Sequence, residues 1–214
     1  TLTATDGDIA GTGEITAASP IFSVNNGNID FSNRNNNFTG PVSITGLNAG
    51  YANDVVLVNS TGLELGAITT TGDFTSTTGT AGVSGGVTQT GILNIGGESN
   101  FIADTLANQN VILDNPANNF IGLVSITNVN GGIWNNIDIA DGVGGLTLGD
   151  VAATGTLEAN STDGVIDQAA NTTIDVVGDT TLIAQSADGS TDYAISLDSA
   201  TNDFQSPVSI VGKD

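Results

Sequence analysis

The stretch Asn36-Asn37-Phe38-Thr39-Gly40-Pro41-Val42-Ser43-Ile44 decides the reading of the chain. It returns as Asn118-Asn119-Phe120-Ile121-Gly122-Leu123-Val124-Ser125-Ile126, and again as Asn202-Asp203-Phe204-Gln205-Ser206-Pro207-Val208-Ser209-Ile210. The three Phe positions recur at a period of about 83 residues, and self-similarity at a fixed period marks a repeat architecture. Each copy follows a short apolar run at the same distance: Ile29-Asp30-Phe31-Ser32, Val111-Ile112-Leu113-Asp114 and Ile195-Ser196-Leu197-Asp198. A second block keeps the register. Gly62-Leu63-Glu64-Leu65-Gly66 lies one such period before Gly145-Leu146-Thr147-Leu148-Gly149, and Thr71-Gly72 and Thr154-Gly155 follow at matching spacing. The chain therefore reads as one continuous array over residues 1–214, with a partial repeat 1–46 and repeats 47–128 and 129–212. Thr1-Leu2-Thr3-Ala4 resembles Thr156-Leu157-Glu158-Ala159, so the array opens in mid-repeat. The expectation is that its ends are continued by further repeats, covalently or by head-to-tail stacking of subunits.

The local pattern is β. Val42-Ser43-Ile44, Leu63-Glu64-Leu65, Ile137-Asp138-Ile139 and Leu146-Thr147-Leu148 each put two apolar side chains on one face and a polar one on the other. Turn clusters such as Asn25-Asn26-Gly27, Asp141-Gly142 and Asp188-Gly189-Ser190 separate such runs. No window carries the helical apolar period. The expected fold is all-β: a parallel β-solenoid (right-handed β-helix) whose repeat of about 83 residues makes about four coils of about 20 residues each. Tandem β-sandwich domains are the alternative, because about 100 residues also make one Ig-like unit. The runs are short for sandwich strands, and the single Trp does not recur from repeat to repeat. The Asn pairs read as turn residues, with the following Phe closing the end of the core.

Composition narrows the chemistry. The 214 residues include 2 Lys+Arg, 23 Asp+Glu and no His, Cys or Met, for a net charge of −21. Disulfides, thiol nucleophiles and imidazole or thiolate metal sites are excluded, as are Ser-His and Cys-His catalytic pairs. Nucleic acid is not an expected partner with two cations in the chain. Membrane insertion is not expected either, since no apolar run reaches the length of a span.

The Asn-Asn-Phe-x-Gly-x-Val-Ser-Ile block, followed by Gly-x-Leu-x-Leu-Gly and Thr-Gly, resembles the repeat regions of large bacterial surface proteins of the filamentous haemagglutinin or giant adhesin type. The resemblance covers nearly the whole chain. It implies an exported right-handed parallel β-helix that acts as a stalk or fibre, and it offers no catalytic residues to carry over.

The expected function is thus a non-enzymatic, extracellular structural repeat at the cell surface, supporting adhesion or cohesion between cells. A calcium- or carbohydrate-binding adhesive module is the alternative, with a carbohydrate or cell-surface ligand as partner. A polysaccharide-degrading β-helix is a third reading. Its acid–base machinery would come from close carboxylates such as Asp6 and Asp8 or Asp163 and Asp167. Ca²⁺ is the one cofactor the pattern suggests. Asp138 with Asp141, and Asp188 with Asp192, each offer two hard oxygen donors across a short segment. The glycosylation triplets at Asn37, Asn59, Asn160 and Asn171 are no more than chance in a chain so rich in Asn and Thr.

Overall fold

The computed structural model describes residues 1–79, 85–104 and 109–213. Those residues form a parallel β-solenoid. One ladder runs without a break through ten strands, from Leu2–Ala4 to Val208–Val211; a second runs through nine, from Ile9–Ala10 to Ile195–Ser196. The ladders are parallel, as in Phe74–Thr78, which lies between Val55–Asn59 and Ser99–Asp104, and isolated antiparallel bridges occur at turns, Leu47 with Gly50 and Gln185 with Asp192. No helix among the described residues is long and apolar enough to cross a membrane. Ten strands spaced about 4.8 Å apart make a ladder roughly 43 Å long.

Alternation places the core. Val42 and Ile44 are buried while Ser43 between them is not, and Leu63 and Leu65 flank the half-buried Glu64 in the same way. The inward residues stack coil upon coil: Leu63 on Val87, and Val87 on Val111. The first coils are filled by rings, with Phe22 and Phe31 centroids 4.5 Å apart and Phe38 packed edge-on to both. Trp134 is fully buried where the preceding repeat has Ala52, and its indole N–H donates to the Thr127 carbonyl at 2.7 Å.

The coils are longer and less regular than the sequence predicts. The shortest register step carries Val55 to Phe74, and a far longer one carries Ile166 to Ile195. Seven ladder steps separate Val42–Gly46 from Val208–Val211, which lie two periods apart. Each period is therefore three and a half coils, where coils of about 20 residues would give four. The half coil has a geometric consequence. Val42–Gly46 lies in the first sheet, its counterpart Val124–Val129 in the second, and Val208–Val211 in the first again. Leu63–Thr70 and Leu146–Ala153 change sheets in the same way. Successive repeats thus present the same residues on alternate faces, displaced by about 17 Å along the axis.

Candidate functional site

The recurring corner is the most elaborate local structure. In each copy a tight turn leads into it. Asn36 N–H donates to the Asn33 carbonyl at 3.3 Å, Asn118 to Asn115 at 3.1 Å and Asn202 to Ser199 at 3.2 Å. The residue opening each turn accepts from the backbone two positions on: Asn35 N to Asn33 Oδ1, Ala117 N to Asn115 Oδ1, and Thr201 N to Ser199 Oγ. This is the turn chemistry expected of Asn. The first Asn of each pair does something else. Asn36 and Asn118 are fully buried, and none of the three first Asn residues is among the positive-φ residues. Asn36 Nδ2 donates to Phe31 O at 2.9 Å, and Asn36 Oδ1 accepts from Ile15 N, one coil below, at 3.0 Å. Asn118 repeats both bonds with Leu113 O and Leu93 N, and Asn202 with Leu197 O and Ile174 N. The buried amide satisfies backbone groups that the corner would otherwise orphan.

A family model described as repeats of unknown function, DUF5649, matches residues 1–45, 52–127 and 135–211. The chain belongs to that family. No curated protein and no solved structure matches it. Each matched DUF5649 segment ends just beyond a corner block, whose last residues are Ile44, Ile126 and Ile210. The corner is therefore the C-terminal landmark of the repeat.

The short strand at each corner also needs a terminator. Among the described residues, Asn37–Phe38 pairs with Thr16–Ala17 alone, and Asn119–Phe120 with Leu93–Ile95 alone. In the coil above Phe38, the Asn59 side chain takes the place of a strand. Its Oδ1 accepts from Phe38 N at 2.8 Å, and its Nδ2 donates to Phe38 O at 3.2 Å and to Gly62 O at 2.6 Å. Asp141 fills the same position in the next DUF5649 repeat, accepting from Phe120 N at 2.9 Å. A carboxylate needs donors where the amide offered N–H groups. The loop there is longer by a single residue, Gly142 to Gly145, and Gly144 and Gly145 take φ of +90° and +106°. Burial still pushes the Asp141 carboxyl up to about 6, against the N–H groups of Phe120, Val143, Gly145 and Gly142 that hold it down.

Open grooves mark both terminations. One, of about 420 Å³, lies among Asn37, Thr39, Gly40, Thr61 and Glu64. The other, of about 340 Å³, lies among Asn119, Ile121, Val143 and Gly144. The first is lined by hydroxyl, amide and carboxylate groups, whereas the second carries the exposed Ile121 and Val143.

The structure places the four calcium candidates in different settings. Asp138 is half-buried on the outer face of Trp134–Asp141, its carboxyl pushed up to about 6 by burial and by the neighbouring charges of Glu158 and Asp114. Asp141 is fully buried at the end of the same strand. Asp188 lies in an exposed turn, held below the usual carboxylate range by the Ser190 and Ser186 hydroxyls. Asp192 accepts from Gln185 Nε2 at 2.8 Å. Among the described residues, no group of three or more acidic side chains is placed to hold a metal ion. Asn59 is fully buried, which removes it from the accessible glycosylation triplets, whereas Asn171 is exposed in a turn.

A further column escapes notice at the level of the long sequence period. Asp8 Oδ1 accepts from Asn28 N, Asn28 Oδ1 from Asp54 N, Asp54 Oδ1 from Asp73 N and Asp73 Oδ1 from Glu98 N, at 2.7 to 3.1 Å. One side chain per coil thus bonds the backbone of the coil above. A matching column runs in the other sheet, from Asn110 of the same DUF5649 segment into the next one: Asn110 Oδ1 accepts from Asn136 N, and Asn136 Oδ1 from Thr156 N. A Gly or Asn stands before each of Asp8, Asn28, Asp54, Asp73 and Glu98, and the Gly has a steric reason. A Cβ on Gly97 would meet Asp73 Oδ1 at 2.2 Å, and one on Gly27 would meet Gly7 O at 2.1 Å.

Proposed function

We propose that the chain is a segment of the stalk or fibre of an extracellular bacterial surface protein, of the filamentous haemagglutinin or giant adhesin type, and that it works mechanically rather than catalytically. One observation carries this reading: the first ladder continues through ten strands, and the core, the corner Asn amide and the strand terminator return with each repeat on alternate faces. Every added repeat lengthens such a rod by about 17 Å while keeping its cross-section. Stability then rises through contacts between neighbouring coils, which suits a long extension more than a compact catalyst. The charge of −21 supports the same reading, because it keeps neighbouring rods apart in solution.

The test uses the producing cells. Antibody raised against this chain is applied to intact cells and followed by electron microscopy, before and after external protease. The expected result is label on projections beyond the cell boundary, lost on protease treatment. Label that enters only after permeabilisation would overturn the proposal.

A further inference from the structure

The chain contains two Asn-Gly dipeptides, and their settings differ. Asn26-Gly27 is locked between coils. Asn26 N–H donates to Tyr51 O at 3.1 Å and Gly27 O accepts from Asn53 N at 2.9 Å. Gly27 is buried against Gly7 of the coil below. Asn130-Gly131 lies outside the ladders, at the tip joining Val124–Val129 to Trp134–Asp141. Both residues are exposed, with φ of +51° and +83°, and no heavy atom lies within 4 Å of a Cβ built on Gly131. One backbone bond closes this turn, Gly132 N to Val129 O at 2.8 Å.

Asn130 also has a specific partner. Its Nδ2 donates to Asp104 Oδ1 at 3.1 Å, while Arg34 Nη1 lies 2.5 Å from Asp104 Oδ2. Asp104 is fully buried. Its carboxylate therefore depends on a donor that sits in the more exposed of the two Asn-Gly turns.

We infer that Asn130 is a self-modification site: its side-chain amide converts to a carboxylate through Gly131, and the conversion removes a donor from Asp104. The chemistry needs only water. On opening of the turn, the Gly131 backbone nitrogen attacks Asn130 Cγ. A C–N bond forms, the Cγ–Nδ2 bond breaks, and ammonia leaves with the proton lost from Gly131. Water then opens the imide to aspartate or isoaspartate, and nothing is oxidised or reduced. The product sets a carboxylate beside Asp104 where an N–H donor stood, which replaces attraction with like-charge repulsion. The same reaction at Asn26 requires the Gly27 level of the ladder to open, and local opening is rarer where backbone bonds are interlocked.

The experiment incubates the folded protein in mildly alkaline water enriched in heavy oxygen, then locates the label by mass spectrometry of proteolytic fragments. Asn130 should take up label at least about tenfold faster than Asn26, the ratio expected when one site is exposed and the other needs local opening. A urea-unfolded sample should convert both at similar rates. Equal rates in the folded protein, or conversion at Asn26 first, would overturn the inference. The consequence is read separately with Asn130→Asp, which mimics the product, and with Asn130→Gln before and after incubation. Asn130→Asp should unfold at lower urea than the wild type, and Asn130→Gln should show no drift with time. An Asn130→Asp midpoint equal to that of the wild type would overturn the link to Asp104.

Discussion

Gln89 and Asn118 are joined through both of their side-chain amides: Gln89 Nε2 donates to Asn118 Oδ1 at 2.8 Å, and Asn118 Nδ2 donates to Gln89 Oε1 at 2.9 Å. Gln168 and Asn202 make the same reciprocal pair at 2.8 Å each way. The first corner lacks it. Gly11 occupies the Gln position, and the ring of Phe31 fills the space, so that a Cβ on Gly11 would meet Phe31 Cδ1 at 3.0 Å. Where Gln is present the ring is replaced by Leu113 or Leu197. The corner therefore has two solutions, Gln with Leu or Gly with Phe.

That alternation predicts a coupling. Asn118→Ala should destabilise by about 3 kcal/mol, since it orphans Leu93 N and Leu113 O in the core. Gln89→Gly and Leu113→Phe should each destabilise when made alone. Combined, they should cost clearly less than their sum in urea unfolding, because together they rebuild the first corner. Additive losses would contradict the two-solution account.

Glycines stacked tightly on the coil below carry a steric prediction. Gly97→Ala and Gly122→Ala place a Cβ against Asp73 Oδ1 at 2.2 Å and Gly97 O at 2.3 Å. Each should destabilise by about 1–3 kcal/mol, as overpacking does. Gly13→Ala, with no atom within 4 Å of the added Cβ, is the control and should be near neutral in thermal unfolding.

These residues show what was legible in the sequence. Alternation in Val42-Ser43-Ile44 gives strand and core directly, because inward and outward positions differ in polarity. The parallel stacking follows from short runs and dense turns. The coil length does not, because the pairs that mark it vary: Gly7-Asp8, Gly27-Asn28, Asn53-Asp54, Gly72-Asp73 and Gly97-Glu98 are unevenly spaced and chemically mixed. The half coil per repeat was hidden with it. Asn36 reads as a turn residue in any linear pattern, and only the fold shows its amide buried between coils. Asp138 and Asp141 lie close in sequence, yet one is on the outer face and the other is inside.

Asp141 and Asp138 give a pH prediction. Both carboxyls are raised in the folded chain, from 3.8 to about 6, with burial the first cause. A raised carboxyl binds its proton more tightly in the folded state. Its contribution is therefore full below pH 3.8 and lost as pH rises through about 6. Unfolding midpoints in urea should fall across that window. Asp138→Asn and Asp141→Asn should each flatten part of the fall, and a slope unchanged in both variants would contradict the assignment.

Arg34 gives a prediction for proteolysis. It is the only internal trypsin site, since Lys213 adjoins the C-terminal residue of the sequence. Its guanidinium pairs with Asp104, whose carboxyl burial alone would raise; the Arg34 and Asn130 hydrogen bonds and the Arg34 charge hold it low instead. The folded chain should stay whole under trypsin, and Asp104→Asn should be cut faster at Arg34. Equal rates of cleavage would mean that the ion pair does not hold this turn.

The most direct test of the account is a distance measurement along and across the rod. Thr75 and Asn100 are register partners on adjacent coils of one sheet, so their Cα atoms are about 4.8 Å apart. Thr75 and Glu158 occupy the same position in successive repeats, and the half coil puts them in different sheets. Spin labels are attached through cysteines introduced at each pair. The solenoid predicts strong spin exchange for Thr75 with Asn100 and none for Thr75 with Glu158. Absence of exchange in the first pair would contradict the stacked coils, and exchange in the second would contradict the half-coil repeat.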